Sequence, residues 1–404
     1  MNRQNKRAIQ RKRSTLLTLL LVILALAMIL LSLQKLTETS KQVQNNEFGR
    51  ESSINATSSS SLTLPRQQLL SPSSTSTRTP ALLHNVANVD YEGFTSYGIY
   101  NPAALNNANI GAVDINMNWA QIEPQQGIFN FTPADREAGA WAAKGKSFNL
   151  IVRYINEGSP STDCSSAQLL PAWEISRIQH FCDADMGTLI PDYFDLTFKQ
   201  DLKSYVSAIA EHFAKSPAQN RLLYVRIGVG EGGEGFPYMA SGDYAVDRQQ
   251  LISCGYSPSV WAVWQEEMMT NYQAAFSFAT VIYPLNGLDT DPRVGKPVQV
   301  EVAAWAASQG MGLGQQGLEP GSDSFVLQSH RAQYPKMFIQ YQTTSAIGGG
   351  APEVQRDIQV ADKNGACFVE WYMRDAINPI YQAIFAQWQH VVDRRKATAN
   401  SSLH

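Results

Sequence analysis

The chain has 404 residues, 44% of them hydrophobic and 17% charged, with 8 Trp, 16 Tyr and 16 Phe, which is enough for one large globular domain with a sizeable core. Its formal net charge is -3, but Arg3, Lys6, Arg7, Arg11, Lys12 and Arg13 stand in the first thirteen residues without an acid, so setting those six aside leaves -9 on the rest. A body of that sign suits neutral ligands and argues against nucleic acid as a partner. The four cysteines form no CxxC and the six histidines form no HExxH or similar cluster, so neither a catalytic metal nor a cofactor is expected.

Leu16 to Leu33 is apolar except for Thr18 and Ser32. At about 1.5 Å per residue such a helix nearly crosses a bilayer's hydrocarbon core. The run is longer than a typical signal-peptide core and no small-x-small cleavage site comes after it, which favours a membrane anchor over a cleavable signal. The basic cluster ahead of it keeps the amino terminus in the cytoplasm and puts the rest of the chain on the far side. From Thr37 to about Pro80 the chain is dominated by Ser, Thr, Asn and Gln. Such a composition cannot bury enough apolar surface to offset ordering entropy and reads as a tether. The expected division is a basic tail (1–13), a transmembrane anchor (14–34), a disordered linker (35–84), a folded domain (85–396) and a short disordered tail (397–404).

The folded part alternates strand-like and helix-like stretches, the pattern of an α/β fold, either a closed barrel or a doubly wound sheet. Strands are expected at Thr95–Tyr100, Ala112–Asn118, Phe148–Tyr154, Leu222–Val229, Val298–Ala304, weakly at Gly310–Gly314, and at Met337–Tyr341 and Ala366–Trp371. Eight strands fit a (β/α)8 TIM barrel. Helices are expected at Pro133–Lys144, Phe198–Ala214, Ser259–Thr280, Ser322–Gln333 and Pro379–Arg394. Cys164 and Cys182 flank one loop-like segment and are the favoured disulfide pair outside the cytoplasm, although buried thiols would fit as well.

The run Leu222 to Pro237, LLYVRIGVGEGGEGFP, carries the most chemistry. Six unbroken apolar-rich residues suit a strand buried on both faces, and five glycines come next with Glu231 and Glu234 set among them. In a barrel of this kind, loops at the carboxyl ends of strands carry the reactive groups, and a carboxylic acid there can protonate a leaving group. The formal G-x-G-x-x-G match is set aside because no helix opens after it, and no G-x-S-x-G elbow or Walker lysine is present.

Asn118 to Phe131, NWAQIEPQQGIFNF, resembles the W-x-x-x-E-P-x-x-G-x-(F/Y)-x-(F/W) segment after the second strand of clan A (β/α)8-barrel glycoside hydrolases, including the family 42 β-galactosidases. Lys146 to Tyr154 resembles their third strand, and the likeness spans roughly Asn85 to Arg394, closest in the first half. The resemblance implies a carbohydrate substrate and an acid/base glutamate ending strand four, here Glu234, with Glu231 as the fallback. Those families usually place Asn before that glutamate, where this chain has Gly233. A smaller group of barrel proteins ending this strand in G-x-G-x-x-G-E is similar too.

Glycoside cleavage needs a second carboxyl across the bond, about 5–5.5 Å from the first for retention and further for inversion. The resemblance places a nucleophile at the end of strand seven, but Phe338-Ile339-Gln340-Tyr341-Gln342 offers no acid. Glu370, ending the apolar run before Trp371, is the leading candidate, with Glu301 as another; Gln342 alternatively marks a site that has lost its nucleophile. Trp119, Trp305 and Trp371 are expected as stacking platforms, with Arg153, Tyr341 and Gln342 as polar contacts to the sugar, although a core role for Trp119 fits equally well. Glu123, just before a proline, is read as a structural acceptor of backbone hydrogen bonds. The expected function is a membrane-anchored, outward-facing glycoside hydrolase; the alternative is a carbohydrate-binding barrel without catalysis.

Overall fold

A computed structural model describes residues 94–97, 101–155, 164, 169–183, 187–230, 233–237, 244–285, 292–318, 339–343 and 347–389. Contacts divide the chain into two units, Met1–Ser76 and Thr77–His404, and every described residue belongs to the second. The expected anchor, linker and tail, and the expected helix Ser322–Gln333, lie outside the described residues. Among the described residues no helix is long and apolar enough to cross a membrane.

In chain order the strands are β1 (Phe94–Tyr97), β2 (Ala112–Asn118), β3 (Ser147–Arg153), β4 (His180–Asp183), β5 (Thr188–Pro191), β6 (Leu222–Arg226), β7 (Thr280–Leu285), β8 (Gly312–Leu318), β9 (Ile339–Thr343) and β10 (Phe368–Tyr372). Eight of them close into a barrel in the order β1-β10-β9-β8-β7-β6-β3-β2, with every pairing parallel. The remaining two, β4 and β5, form an antiparallel ribbon between β3 and β6. The Cys164–Cys182 disulfide ties the segment before the ribbon to β4, the pairing expected from the sequence; Cys254 and Cys367 stand outside it.

Helices return the chain between strands for local reasons. Leu196–Ala214 starts where the Asp195 carboxylate accepts from the Thr197 and Phe198 amides at 2.6 and 3.2 Å. It buries Phe198, Leu202, Tyr205, Val206, Ile209 and Phe213, one face at three- and four-residue spacing. Pro258–Ala275 has Pro at its first position and Ser257 as cap, and turns Trp261, Trp264, Met268 and Tyr272 inward. Full burial of one such large side chain stabilises by about 1.5–3 kcal/mol.

Two strand assignments change. Val298–Ala304, expected as strand five, is helical within Pro292–Ser308. Val302, Ala303, Ala306 and Ala307 are buried there, a helical face with Pro292 at the start, so the alternating Val298, Val300 and Val302 mimic a strand period in sequence only. The fifth barrel strand is instead β7, TVIYPL, a stretch that reads in sequence as the end of the preceding helix and a loop. Pro284 pairs in register with Gly314 inside this strand, a residue type that ordinarily argues against a central strand.

Candidate functional site

Alternation along the strands separates two environments. Val113, Ile115 and Met117 of β2, Phe148, Leu150 and Val152 of β3, and Val225 and Ile227 in and just beyond β6 join the core cluster between sheet and helices. Their neighbours therefore face the barrel interior. A small cluster of Ile151, Tyr224, Ile282 and Phe368 fills part of that interior. Around it sits a polar network. Asn149 Nδ2 donates to Asp114 Oδ1 at 2.8 Å, the Tyr224 hydroxyl donates to the same oxygen at 3.3 Å, and Arg226 Nη1 donates to Glu370 Oε2 at 2.9 Å. The Asp114 and Glu370 carboxyls are close enough to influence each other.

Burial pushes the Glu370 carboxyl well above its ordinary range, against the Arg226 charge that pulls it down. The neighbouring Asp114 and the charge of Glu234 push it further up. The exposure of Glu370 is 0%. Glu370, expected to attack an anomeric carbon, is placed beneath the mouth, fully buried and bonded to Arg226. Glu301, the other candidate, is exposed on the helix Pro292–Ser308, outside the barrel.

Glu234 belongs to the opposite situation. It comes after β6 at the carboxyl-terminal mouth, partly exposed, on a loop that folds back on itself: the Gly230 amide donates to the Glu234 carbonyl at 2.9 Å and the Gly233 amide to the Gly230 carbonyl at 3.1 Å. A side chain at Gly230 would lie 2.0 Å from the Phe236 carbonyl oxygen, and Gly233 has φ +80, so the turn needs glycine at both places. Aromatic donors from the surrounding layer hold its carbonyls. Trp261 Nε1 donates to Gly235 at 2.9 Å, the Tyr193 hydroxyl to Pro237 at 2.6 Å, and Val229 receives both the Tyr154 hydroxyl and, at 3.4 Å, Trp264 Nε1. Arg153, at the end of β3, packs against the turn: a Cβ at Gly233 would lie 3.7 Å from its Cγ. Arg153 thus lies against the turn that carries Glu234, and Glu234 is near enough to Glu370 for its charge to be felt there.

Other expected site residues are elsewhere. Trp119 is fully buried, stacked on Tyr205 at 5.1 Å, and its Nε1 donates to Glu123 Oε2 at 2.7 Å. Glu123 also accepts the Gly127 amide at 2.7 Å, the structural role read from the sequence. Trp371 is fully buried on the helix side of β10 against Phe385, Tyr341 is buried in the same layer, and Trp305 lies partly buried on the helix Pro292–Ser308. The stacking and sugar-contact roles expected of Trp119, Trp305, Trp371 and Tyr341 are corrected accordingly: these rings hold the helices to the sheet. The backbone of Gln342 pairs in register with Glu370; Glu231 lies outside the described residues. A groove of about 700 Å³ lined by Phe129, Phe131, Asp135 and His212 lies on the outer helix layer, not at the mouth.

Sequence reasoning missed Asp114, Asn116, Asn118, Asn149, Tyr224 and Arg226. The signal was present in V-D-I-N-M-N of β2, where polar residues alternate with apolar ones, a pattern that ordinarily marks a solvated face but here marks a polar barrel interior.

No protein-family model matches the sequence, and no curated protein is similar to it at a significant level. Among solved structures, the chain is similar to the catalytic domain of a beta-amylase from Paenibacillus polymyxa, with TM-score 0.55 and 11% identity over 75% of this chain and 98% of that one. At that identity the likeness is one of fold. An exo-beta-1,4-mannosidase from an Opitutaceae bacterium gives TM-score 0.45 and 13% identity over 77% of this chain and 60% of that one. A xylanase 10B from Thermotoga petrophila, in complex with xylobiose, gives 0.43 and 12% over 77% and 98%. Both of these are too distant in shape to argue from.

Proposed function

We propose that the barrel hydrolyses O-glycosidic bonds of a poly- or oligosaccharide, with Glu234 as the proton donor. The observation that carries this reading is the placement of Glu234: partly open at the barrel mouth, on a turn that Arg153 packs against and whose backbone is fixed by four aromatic donors. A general acid must be held where the leaving oxygen will be, and fixing its backbone does that. The proton passes from Glu234 to the glycosidic oxygen as its bond to the anomeric carbon breaks; water then adds at that carbon and gives its proton to the Glu234 carboxylate, which restores the acid. Glu370, Asp114 and Arg226 lie beneath and set the charge below the acid. The fold shared with a beta-amylase catalytic domain supports the reading.

We propose further that the apolar segment 14–34 anchors the chain with the barrel outside the cytoplasm. The basic cluster before that segment supports this, as does the Cys164–Cys182 disulfide, a bond at home in oxidising compartments. Extraction of membranes at alkaline pH should leave the full chain in the pellet; release into the supernatant would refute the anchor.

The burial of Glu370 against Arg226 favours one second reading, a barrel that binds carbohydrate without cleaving it. A hydrolysis screen over neutral oligosaccharides, run beside isothermal titration of the same sugars, separates the two. Turnover by the parent that disappears in Glu234→Gln supports the enzyme. Binding without turnover, unchanged by Glu234→Gln, supports the second reading.

A further inference from the structure

On β2, Asn116 and Asn118 continue toward the mouth the inward face that begins at buried Asp114, and both are partly exposed. The side-chain oxygen of each is shielded from solvent and has no hydrogen-bond partner among the described residues. Asn118 Nδ2 donates to Gln121 at 3.2 Å, which leaves its oxygen directed elsewhere. A shielded acceptor without a partner weighs against the fold, and two of them two residues apart on one strand call for a reason. We propose that Asn116 and Asn118 form a subsite that recognises hydroxyl groups of a neutral sugar.

The chemistry favours that ligand. An amide presents both donors and an acceptor and carries no charge, and a hydroxyl can donate and accept, so the two match whichever way the amide is turned. Positions i and i+2 of a strand are about 6.6 Å apart, a spacing that suits hydroxyls of a single sugar ring. Asn118 is paired in register with Arg153, and Arg153 packs against the turn that carries Glu234, so the subsite adjoins the proposed acid. The inference rests on the carbohydrate reading above and adds to it the residues that hold the ring.

Asn116 is the better residue to test, because Asn118 also bonds Gln121. Asn116→Leu keeps the branched outline, slightly larger, and removes the amide, and Asn116→Ala removes it without adding bulk. Thermal unfolding of the detergent-solubilised full chain is measured for both, with titration against maltohexaose, cellohexaose and mannohexaose. The subsite predicts that Asn116→Leu raises Tm by about 2–4 °C, because an unsatisfied acceptor has gone. It also predicts that both variants bind the preferred sugar at least tenfold more weakly than the parent. A parent that binds sugar while both variants bind within twofold of it overturns the subsite and leaves the reading of Glu234 standing. A Tm lowered in both variants also overturns it, since the oxygen is then satisfied in the free protein. A parent that binds none of the three and cleaves none sinks the carbohydrate reading and the subsite with it.

Discussion

Between the sheet and its helices, Val113, Ile115, Met117, Phe148 and Val225 pack among aromatic rings; on the other side of the same strands Asp114, Asn149, Tyr224, Arg226 and Glu370 meet in a hydrogen-bonded cluster. The outer layer is governed by shape and apolar area. The inner one is governed by where a proton and a positive charge are held. Since each strand serves both with alternate residues, a one-residue slip would exchange them, which is why the register here is strongly specified. Stability comes chiefly from the outer layer. The inner layer brings polar groups up to the mouth where Glu234 and the two asparagines stand.

The comparison breaks most visibly when one partner of the inner pair is removed. Glu370→Leu strands the Arg226 guanidinium, which cannot discharge itself, and should destabilise by about 3–5 kcal/mol in urea unfolding. Arg226→Leu should cost less, about 1–3 kcal/mol, because Glu370 can stay neutral once its partner has gone. Equal losses would show that Glu370 is ionised in the folded protein. In the outer layer, Trp371→Ala should cost about 3–5 kcal/mol through lost packing, with no preference for pH.

The two layers should next differ in pH dependence. The raised pKa of Glu370 means that the folded state keeps a proton which the unfolded state releases above 4.5. Its contribution is complete below that pH and is lost as pH rises through the folded value. Glu174, pushed up to about 8 chiefly by burial and further by the neighbouring Asp201 carboxylate, acts in the same direction between 4.5 and about 8. Stability should therefore fall as pH rises over this window, and Glu370→Gln and Glu174→Gln should each flatten the slope while Trp371→Phe leaves it unchanged. The smallest effect is expected at the mouth. Tyr193→Phe removes a single donor to the Pro237 carbonyl, so stability should change by about 1 kcal/mol, while turnover falls more than KM changes because the acid is less well placed.

Much of the barrel could be read from the chain because its strands are short apolar runs between glycines and caps. Ser147–Arg153, buried throughout, and Ala112–Asn118 needed little tertiary information. Val298–Ala304 and β7 were misread for one reason: β-branched residues and proline are weak local signals, and packing around the barrel decided both. The place of Glu234, in a loop directly after a barrel strand, was legible from the glycines around it. The tryptophans were not, since a ring that stacks on sugar and one that fills a core look alike in sequence, and only burial separated them. Glu370 was recognisable as an acid ending a strand, but the groups that surround it, Asp114 and Arg226, come from strands far away in the chain.

The account turns on proton donation by Glu234, and the leaving group tests that directly. Parent and Glu234→Gln would be compared on one glycoside carrying either an alcohol or a p-nitrophenol leaving group. A general acid matters where the leaving oxygen is a poor one. The account predicts that the variant loses about 10²–10⁴-fold in rate with the alcohol and far less with the nitrophenol. Equal losses on both, or no loss on either, would contradict it.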